Sequence, residues 1–251
     1  MSINRNSFLE AFAQSSPALN LIFLNHTGAP AKLLANISAI EMLADKKSTQ
    51  AFLDYAKTHP LTKGLTVTPH YRKTNVLVEF WDGSELNFRL MRNMVRKTLL
   101  CLQVDEIKKY ASINEYGMFV PSIEHQFEYM ILKSQFGKDN LPDRYVNFFA
   151  TYDSATRAVI FKYLQTRFDL VFNTLEDLYS PKPNMLLTIM IGLRSERGNT
   201  LIRMFIRSVA ITFHKFFGWL THKEFHIAAS PQHAPEFPTK EKKRSAGQAL
   251  L

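Results

Sequence analysis

Cysteine is almost missing from this chain of 251 residues, since Cys101 is the only one. It lies inside the apolar run TLLCLQV. One cysteine excludes an internal disulfide framework and a zinc site built from several thiolates. We interpret Cys101 as a buried structural thiol in a protein of a reducing cytosol.

Long uncharged apolar runs are also missing. The richest segment, 201–220, is interrupted by Arg203, Arg207, His214 and Lys215. It therefore falls short of the roughly 18 uninterrupted residues that a membrane-spanning helix needs. The N-terminus has neither the basic start nor the continuous apolar core of a signal peptide. We expect a cytoplasmic protein that can still associate with a membrane surface.

Acidic residues are fewer than basic ones, with 22 Asp and Glu against 31 Lys and Arg and a net charge of +9. Such an excess favours partners that carry phosphate, although a basic, solvated surface has the same composition. Hydrophobic residues make up 46% of the chain and 20 residues are Phe. These numbers indicate a globular protein with a largely aromatic core.

The motifs of several common enzyme classes do not occur. There is no G-x-S-x-G nucleophile elbow, no P-loop, no G-x-G-x-x-G and no pair of histidines at zincin spacing. His214 and His222 are interpreted as surface or packing histidines. The remaining class holds magnesium with carboxylates from adjacent strands, for phosphoryl chemistry.

Short strands and helices alternate over the first hundred residues. A helix capped by Asn6 or Ser7 should place Phe8, Leu9 and Phe12 on one face. Strand 19–25 is apolar on both faces, so we expect it at the centre of a sheet. Further predicted elements are a strand at 37–43, a helix from 46 to about 58 and a short strand at 65–68.

A β-hairpin is the clearest local signal. Two alternating runs, 76–81 and 84–91, flank Asp82-Gly83, and both turn residues tolerate positive φ. On the second strand, Leu86, Phe88 and Leu90 share one face. The other face carries Glu85, Asn87 and Arg89.

After residue 92 the hydrophobic period changes from two to 3.6. The pattern predicts helices near 103–111, 123–136, 141–150, 154–166, 170–179, 184–193 and 198–218. The expected fold class is therefore α+β, with a small mixed sheet in a domain at 1–100 and an all-helical domain at 101–229. Residues 230–251, rich in proline and lysine, are predicted to be a disordered tail.

Residues 19–91 resemble the nucleotidyltransferase superfamily, which has the polymerase-β-like fold. The family has a small-residue turn, about ten residues, an Asp-hydrophobic-Asp/Glu motif and a carboxylate on a later strand. Here the corresponding residues are Gly28-Ala29, nine further residues, Ala39-Ile40-Glu41-Met42, and then the strand Ser84-Glu85-Leu86-Asn87-Phe88. The helical half, with NEYGMFVPSIEHQFEYMIL and LPDRYVNFF, is similar to nucleotidyltransferases of bacterial polysaccharide-biosynthesis loci.

This resemblance implies magnesium-dependent transfer of a nucleotidyl group from a nucleoside triphosphate, in the assembly of a bacterial surface polysaccharide. It makes Glu41 the catalytic metal ligand. The residues placed against the nucleotide are Gly28, Ala29, Ser38 and Asn87.

The chain departs from the family motif at several positions. Ala39 replaces the first carboxylate, and Asn87, or alternatively Arg89, replaces the third. Glu79 or Glu85 could supply a substitute ligand, with Glu85 the favoured metal ligand, unless both are solvated hairpin charges. We therefore expect nucleotidyl transfer to be weakened or lost.

Other polar residues have plainer interpretations. Asp45 is expected to start a helix. The resemblance places Glu124 and His125, in the first turn of a helix, near the cleft. Arg144 and Tyr145 are expected to be structural.

A second hypothesis comes from residues 194–217, in which five basic side chains alternate with large apolar ones around a single glutamate. Such a helix could lie on an anionic membrane or bind a protein partner, without any catalysis. Alternatively, it is a core helix whose arginines extend to solvent. We expect no specific nucleic-acid partner.

Overall fold

The computed structural model describes residues 3–24, 28, 30, 39–70, 72–96, 99–136, 143–168, 201–221 and 225–228. Its fold is α+β with a mixed sheet, as expected. The helices are α1 (Ile3–Ser15), α2 (Lys46–Thr58), α3 (Val104–Lys108), α4 (Ile123–Phe136), α5 (Asp143–Ala150), α6 (Ser154–Phe168) and α7 (Leu201–Thr221). The strands are β1 (Ile22–Phe23), β2 (Ile40–Leu43), β3 (Thr62–His70), β4 (Lys73–Phe80), β5 (Glu85–Met91), β6 (Asn93–Arg96), β7 (Leu99–Gln103), β8 (Ser112–Ile113), β9 (Phe119–Val120) and β10 (Phe225–Ala228).

Six strands form the main sheet, in the order β1-β2-β5-β4-β3-β10. The pair β2–β5 is parallel and every other neighbouring pair is antiparallel. Two smaller antiparallel pairs, β6–β7 and β8–β9, lie outside it. The parallel pair matters most for function, because it makes the strand of Glu41 a direct neighbour of β5.

One face of the main sheet carries an aromatic core. Phe8 and Phe12 of α1 and Phe52 of α2 are fully buried there against Phe88 of β5, with ring centroids 4.8–6.1 Å apart. The predicted apolar face of α1 and the aromatic character of the core are thus confirmed. Helix α1 itself begins at Ile3, so the expected cap at Asn6 or Ser7 is wrong.

The opposite face carries a second core. Ile22 and Leu43 pack there with Phe127 of α4, Phe149 of α5 and Leu164 of α6. Since side chains alternate along a strand, Glu41 shares this face with Leu43. The sheet therefore separates two apolar layers, and Glu41 faces α4.

Strand β1 lies at an edge of the sheet, which corrects the central position expected from its apolar character. Among the strands that the structure describes, it pairs with β2 alone. Its side chains are buried on both faces because Phe23 enters the aromatic core and Ile22 enters the second core. Helices on both faces of the sheet can thus bury an edge strand as completely as a central one.

The hairpin is confirmed, and its turn is longer than a two-residue turn. Residues 81–84 connect β4 to β5, with a hydrogen bond from Gly83 N to Phe80 O of 3.0 Å and one from Phe80 N to Ser84 O of 2.9 Å. Gly83 has a φ of 78°, whereas Asp82 is not in the positive-φ region. This is the arrangement of a type I turn followed by a left-handed glycine.

The expectation of helices alone after residue 92 is wrong. Strands β6 to β9 occupy much of 93–120, β10 extends the main sheet, and the helix expected at 103–111 is limited to α3. The predicted helices at 170–179 and 184–193 and the tail at 230–251 lie outside the described residues. Within the part of the chain that the structure describes, no helix is long and apolar enough to cross a membrane.

Candidate functional site

The site begins with the register between β2 and β5. Glu41 of β2 lies directly beside Arg89 of β5. Their side chains leave the same face of the sheet, and Nη1 of Arg89 donates to Oε1 of Glu41 at 2.7 Å. The position next to the expected metal carboxylate therefore holds a cation.

Helix α4 supplies the other partners of Glu41. Nζ of Lys133 donates to Oε2 at 2.5 Å, and the hydroxyl of Tyr129 donates to the same oxygen. Tyr129 and Lys133 are four residues apart, so they lie on one face of α4. We call Glu41, Arg89, Tyr129 and Lys133 the Glu41 cluster.

Burial and charge act in opposite directions on Glu41, which is only 4% exposed. Burial raises the pKa of its carboxyl group, but the Lys133 ammonium, the Tyr129 hydroxyl and the Arg89 guanidinium outweigh it and keep the pKa below its ordinary value. The carboxylate is therefore ionised and already neutralised by protein groups. A divalent cation would have to displace these partners in order to bind it.

The other residues of the expected metal site bring no second carboxylate next to Glu41. Ala39 comes directly before β2, and Asn87 comes directly before Phe88, the β5 partner of Ile40. Ala39 and Asn87 are thus each two residues before a member of the Glu41 cluster, Glu41 and Arg89 respectively. Glu85 of β5 lies opposite Glu79 of β4, at the end of the hairpin next to the turn. It lies four residues from Arg89, or about 13 Å along the strand, too far to share an ion with Glu41.

Among the described residues, no three His, Cys, Asp or Glu side chains are grouped so that they could hold a metal ion. Gly28 has a φ of 132°, a conformation that favours glycine. Ala29 and Ser38, the other two residues expected against the nucleotide, lie outside the described residues.

Asp45 has the predicted role at the start of a helix. Its Oδ1 accepts from the backbone N–H of Ser48 at 2.7 Å, and Nζ of Lys108 donates to Oδ2 at 2.7 Å. The hydrogen bonds from Lys108 and from the Ser48 N–H lower the pKa of Asp45 to about 2. Asp45 therefore joins α2 to α3.

Glu124 and His125 line a cavity of about 750 Å³ together with residues of α3 and α6. His125 is buried, and its Nδ1 lies 2.9 Å from Oγ of Ser122 in a hydrogen bond. The same helix places Tyr129 and Lys133 against Glu41, but Glu41 is not among the described residues that line this cavity.

Tyr145 is buried in the second core, as a structural residue should be. For Arg144 the structure describes only the backbone, in α5.

The buried charges of α4 are largely satisfied by neighbouring side chains. Glu128 is 1% exposed. Its carboxylate accepts from the Tyr163 hydroxyl at 2.8 Å and from Nε of Arg167 at 2.9 Å. This second buried ion pair attaches α6 to α4, just as the Glu41 cluster attaches α4 to the sheet.

Helix α7 buries Arg207 and leaves most of its large apolar side chains exposed. Arg207 is 7% exposed, whereas Ile202, Phe205 and Phe213 are 73%, 70% and 62% exposed. The core-helix interpretation is therefore wrong for Arg207 and for the large apolar side chains, whereas Arg203 is exposed as it expects. We call the exposed row the α7 stripe; its residues are Ile202, Phe205, Ile206, Val209, Phe213, Phe216 and Phe217.

Arg89, Tyr129 and Lys133 are the site residues that sequence reasoning missed or ranked low. Arg89 was recognisable from its place on the same hairpin face as Asn87. Tyr129 and Lys133 carry a weaker signal, namely two polar-tipped side chains four residues apart within an apolar helix.

Comparisons with protein-family models, with curated proteins and with solved structures found no match to this chain.

Proposed function

We propose that this chain is a nucleotidyltransferase-like protein in which nucleotidyl transfer has been lost and the former metal position serves the fold. The observation that carries the proposal is the Glu41 cluster. Glu41 occupies the motif position of a metal carboxylate, yet Arg89 and Lys133 lie 2.7 and 2.5 Å from its oxygens.

The pairing of β2 with β5 supports the family part of this proposal. The family's chemistry requires a carboxylate on a strand adjacent to the Asp-hydrophobic-Asp/Glu strand, and β5 is that neighbour of β2. The residue beside Glu41 on β5 is a cation, and Ala39 cannot ligate a metal. The resemblance of the helical half suggests bacterial surface-polysaccharide assembly as the setting.

Loss of transfer follows from the charges. Magnesium is held by carboxylates together with substrate phosphates. Binding at Glu41 would require removing a carboxylate from two cations and a hydroxyl in a buried position, which is costly. The protein's remaining role is then binding rather than catalysis.

Calorimetry tests this proposal directly. Purified protein is titrated with ATP, GTP, CTP and UTP, with and without magnesium, alongside a Glu41→Gln variant that is checked for folding. We expect magnesium to add no affinity for any triphosphate in either protein, and pyrophosphate release to stay at the level of buffer. Magnesium-dependent binding that disappears in Glu41→Gln would overturn the proposal.

A second candidate function is attachment to an anionic membrane surface through the α7 stripe. The stripe is a continuous row of exposed aliphatic and aromatic side chains, with spacings of three and four residues that keep it on one side of the helix. Arg203 is exposed next to Ile202, and the whole chain carries +9. Apolar area combined with a positive protein favours anionic lipid.

Vesicle flotation tests the second candidate. We expect the protein to float with phosphatidylcholine vesicles that contain phosphatidylserine and to float less with phosphatidylcholine alone. Phe205→Ser with Phe213→Ser should abolish flotation. Phe225→Ser, which changes an exposed Phe of β10, is the matched control and should float normally. Equal flotation of all variants would rule out the stripe as the membrane contact.

A further inference from the structure

A basic cavity lies at the end of the main sheet, between the first turn of α2 and the β3–β4 turn. Its volume is about 490 Å³. It is lined by Lys46, Thr49, Gln50, His70, Arg72, Lys73, Thr74, Leu90 and Arg92. We call it the basic cavity. Three separate segments of the chain thus bring four permanently charged cations to one concave surface.

The lining is one-sided in charge. Among the described residues that line the cavity, none is a carboxylate. Asp45, the acidic residue next to Lys46, is held by Lys108 and by the Ser48 N–H. Four cations around one concave surface raise the local concentration of anions and so favour an anionic ligand.

The backbone holds these cations in place. The N–H of Arg92 donates to the carbonyl of Arg72 at 3.0 Å, which joins the end of β5 to the β3–β4 turn. Arg72 has a φ of 60°, an uncommon conformation for a residue other than glycine. Arg72 lies in the two-residue turn between the paired residues His70 and Lys73, where positive φ is the usual hairpin geometry, so the turn fixes the position of Arg72.

Helix α2 adds to the positive electrostatic potential in the basic cavity. Lys46 and Thr49 belong to its first turn, where the helix dipole is positive. Thr74 adds a neutral hydroxyl beside the cations, whereas the Thr49 hydroxyl already donates to the carbonyl of Asp45 and the Gln50 amide to Asp54. This combination of cations, neutral polar groups and a helix start is well suited to phosphate oxygens.

We propose that the basic cavity binds a small molecule carrying two or more linked phosphate groups. The four cations come from three separate segments, and a cavity of about 490 Å³ has room for more than one phosphate group. The volume falls within the range of small-molecule sites, roughly 300–1,000 Å³. The site is separate from the Glu41 cluster and needs no metal, so it stands whether or not the chain ever transferred nucleotides.

Calorimetric titration with sodium tripolyphosphate, pyrophosphate and orthophosphate tests the proposal, in the absence of magnesium and at about 0.15 M salt, where distant charges are largely screened. We expect saturable binding with affinity in the order tripolyphosphate, pyrophosphate, orthophosphate. Removing a charged hydrogen-bond donor should weaken tripolyphosphate binding about tenfold for each cation lost. Lys46→Glu with Arg92→Glu should therefore weaken it at least a hundredfold.

Lys47→Glu is the matched control, since Lys47 is exposed in the same turn of α2 as Lys46 but does not line the cavity. It should change the affinity less than threefold. Circular dichroism melting of each variant shows that the fold is retained, as expected for exposed positions. Absence of saturable tripolyphosphate binding, or equal losses in Lys47→Glu and in the double variant, would overturn the proposal.

Discussion

The Glu41 cluster and the basic cavity treat charge in opposite ways. In the cluster, two cations and a hydroxyl converge on one buried carboxylate, so the charges satisfy one another inside the protein. In the basic cavity, the four cations Lys46, Arg72, Lys73 and Arg92 share a concave surface with no carboxylate among its described lining residues. The two sites lie on the same sheet and differ in their surroundings, since the cluster is built on a buried carboxylate and the cavity is open and lined by cations.

The difference separates two uses of a charged residue. A buried charge that is fully compensated holds elements together, and removing one partner destabilises the fold. Clustered cations with solvent access raise the local concentration of anions and can bind them. Variants of the cluster should therefore change stability without changing anion affinity, and variants of the cavity should do the reverse.

The largest expected effect is on stability, from Glu41→Ala. This change leaves Arg89 and Lys133 without their shared carboxylate and opens a gap between β2 and α4. We expect the free energy of unfolding to fall by about 3 kcal/mol, at the lower end for a broken buried ion pair because both cations are partly exposed. Chemical denaturation measures it. Glu85→Ala, at an exposed position of β5, should change it by less than about 0.5 kcal/mol.

A double-mutant cycle should show that the Glu41–Lys133 contact is direct. We expect a coupling energy of about 1–2 kcal/mol between Glu41→Gln and Lys133→Met. The same cycle between Glu41→Gln and Lys57→Met should give a coupling near zero, because Lys57 lies exposed at the end of α2. Equal coupling in both cycles would contradict the role assigned to α4.

The change in stability with pH that is due to Glu41 should be smaller than the effects of these substitutions, and it should be a loss of stability on acidification. The pKa of Glu41 is lower in the folded protein than its ordinary value of 4.5, so the unfolded chain binds more protons. The stabilisation that the Glu41 carboxylate gives the folded protein is complete above pH 4.5 and is lost as the pH falls through the pKa of Glu41 in the folded protein. The stability difference between wild type and Glu41→Gln should therefore shrink on acidification. A difference that grows below pH 4.5 would contradict the assignment.

The smallest expected effect on stability comes from the basic cavity. Arg92→Gln, at an exposed position, should change the free energy of unfolding by less than about 0.5 kcal/mol. The same change should weaken tripolyphosphate binding about tenfold. Denaturation and calorimetry on the same preparation measure both. A loss of stability as large as that of Glu41→Ala would place Arg92 among the structural residues.

Local patterns predicted local structure well in this chain. The alternation around Gly83 predicted the hairpin, the spacing of Phe8 and Phe12 predicted the buried face of α1, and Asp45 was recognised as a helix start. Each of these depends on residues close together in sequence. The strand carrying Glu41 was found for the same reason.

Long-range contacts could not be predicted in the same way. Tyr129 and Lys133 are 88 and 92 residues from Glu41 in sequence, and no local pattern predicts that α4 packs on β2. Periodicity grouped the apolar residues of α7 on one side but could not say that this side faces outward. The edge position of β1 was missed because apolar residues on both faces of a strand indicate burial rather than order in the sheet.

The most direct test of the central claim is a crossed measurement on two variants. Tripolyphosphate affinity and the free energy of unfolding are measured for Glu41→Gln and for Lys46→Glu with Arg92→Glu, each beside wild type and without magnesium. We predict that Glu41→Gln loses stability and keeps wild-type affinity, while the double variant keeps stability and loses affinity at least a hundredfold. Loss of affinity in Glu41→Gln, with no loss in the double variant, would contradict the separation of the structural charges from the ligand-binding charges.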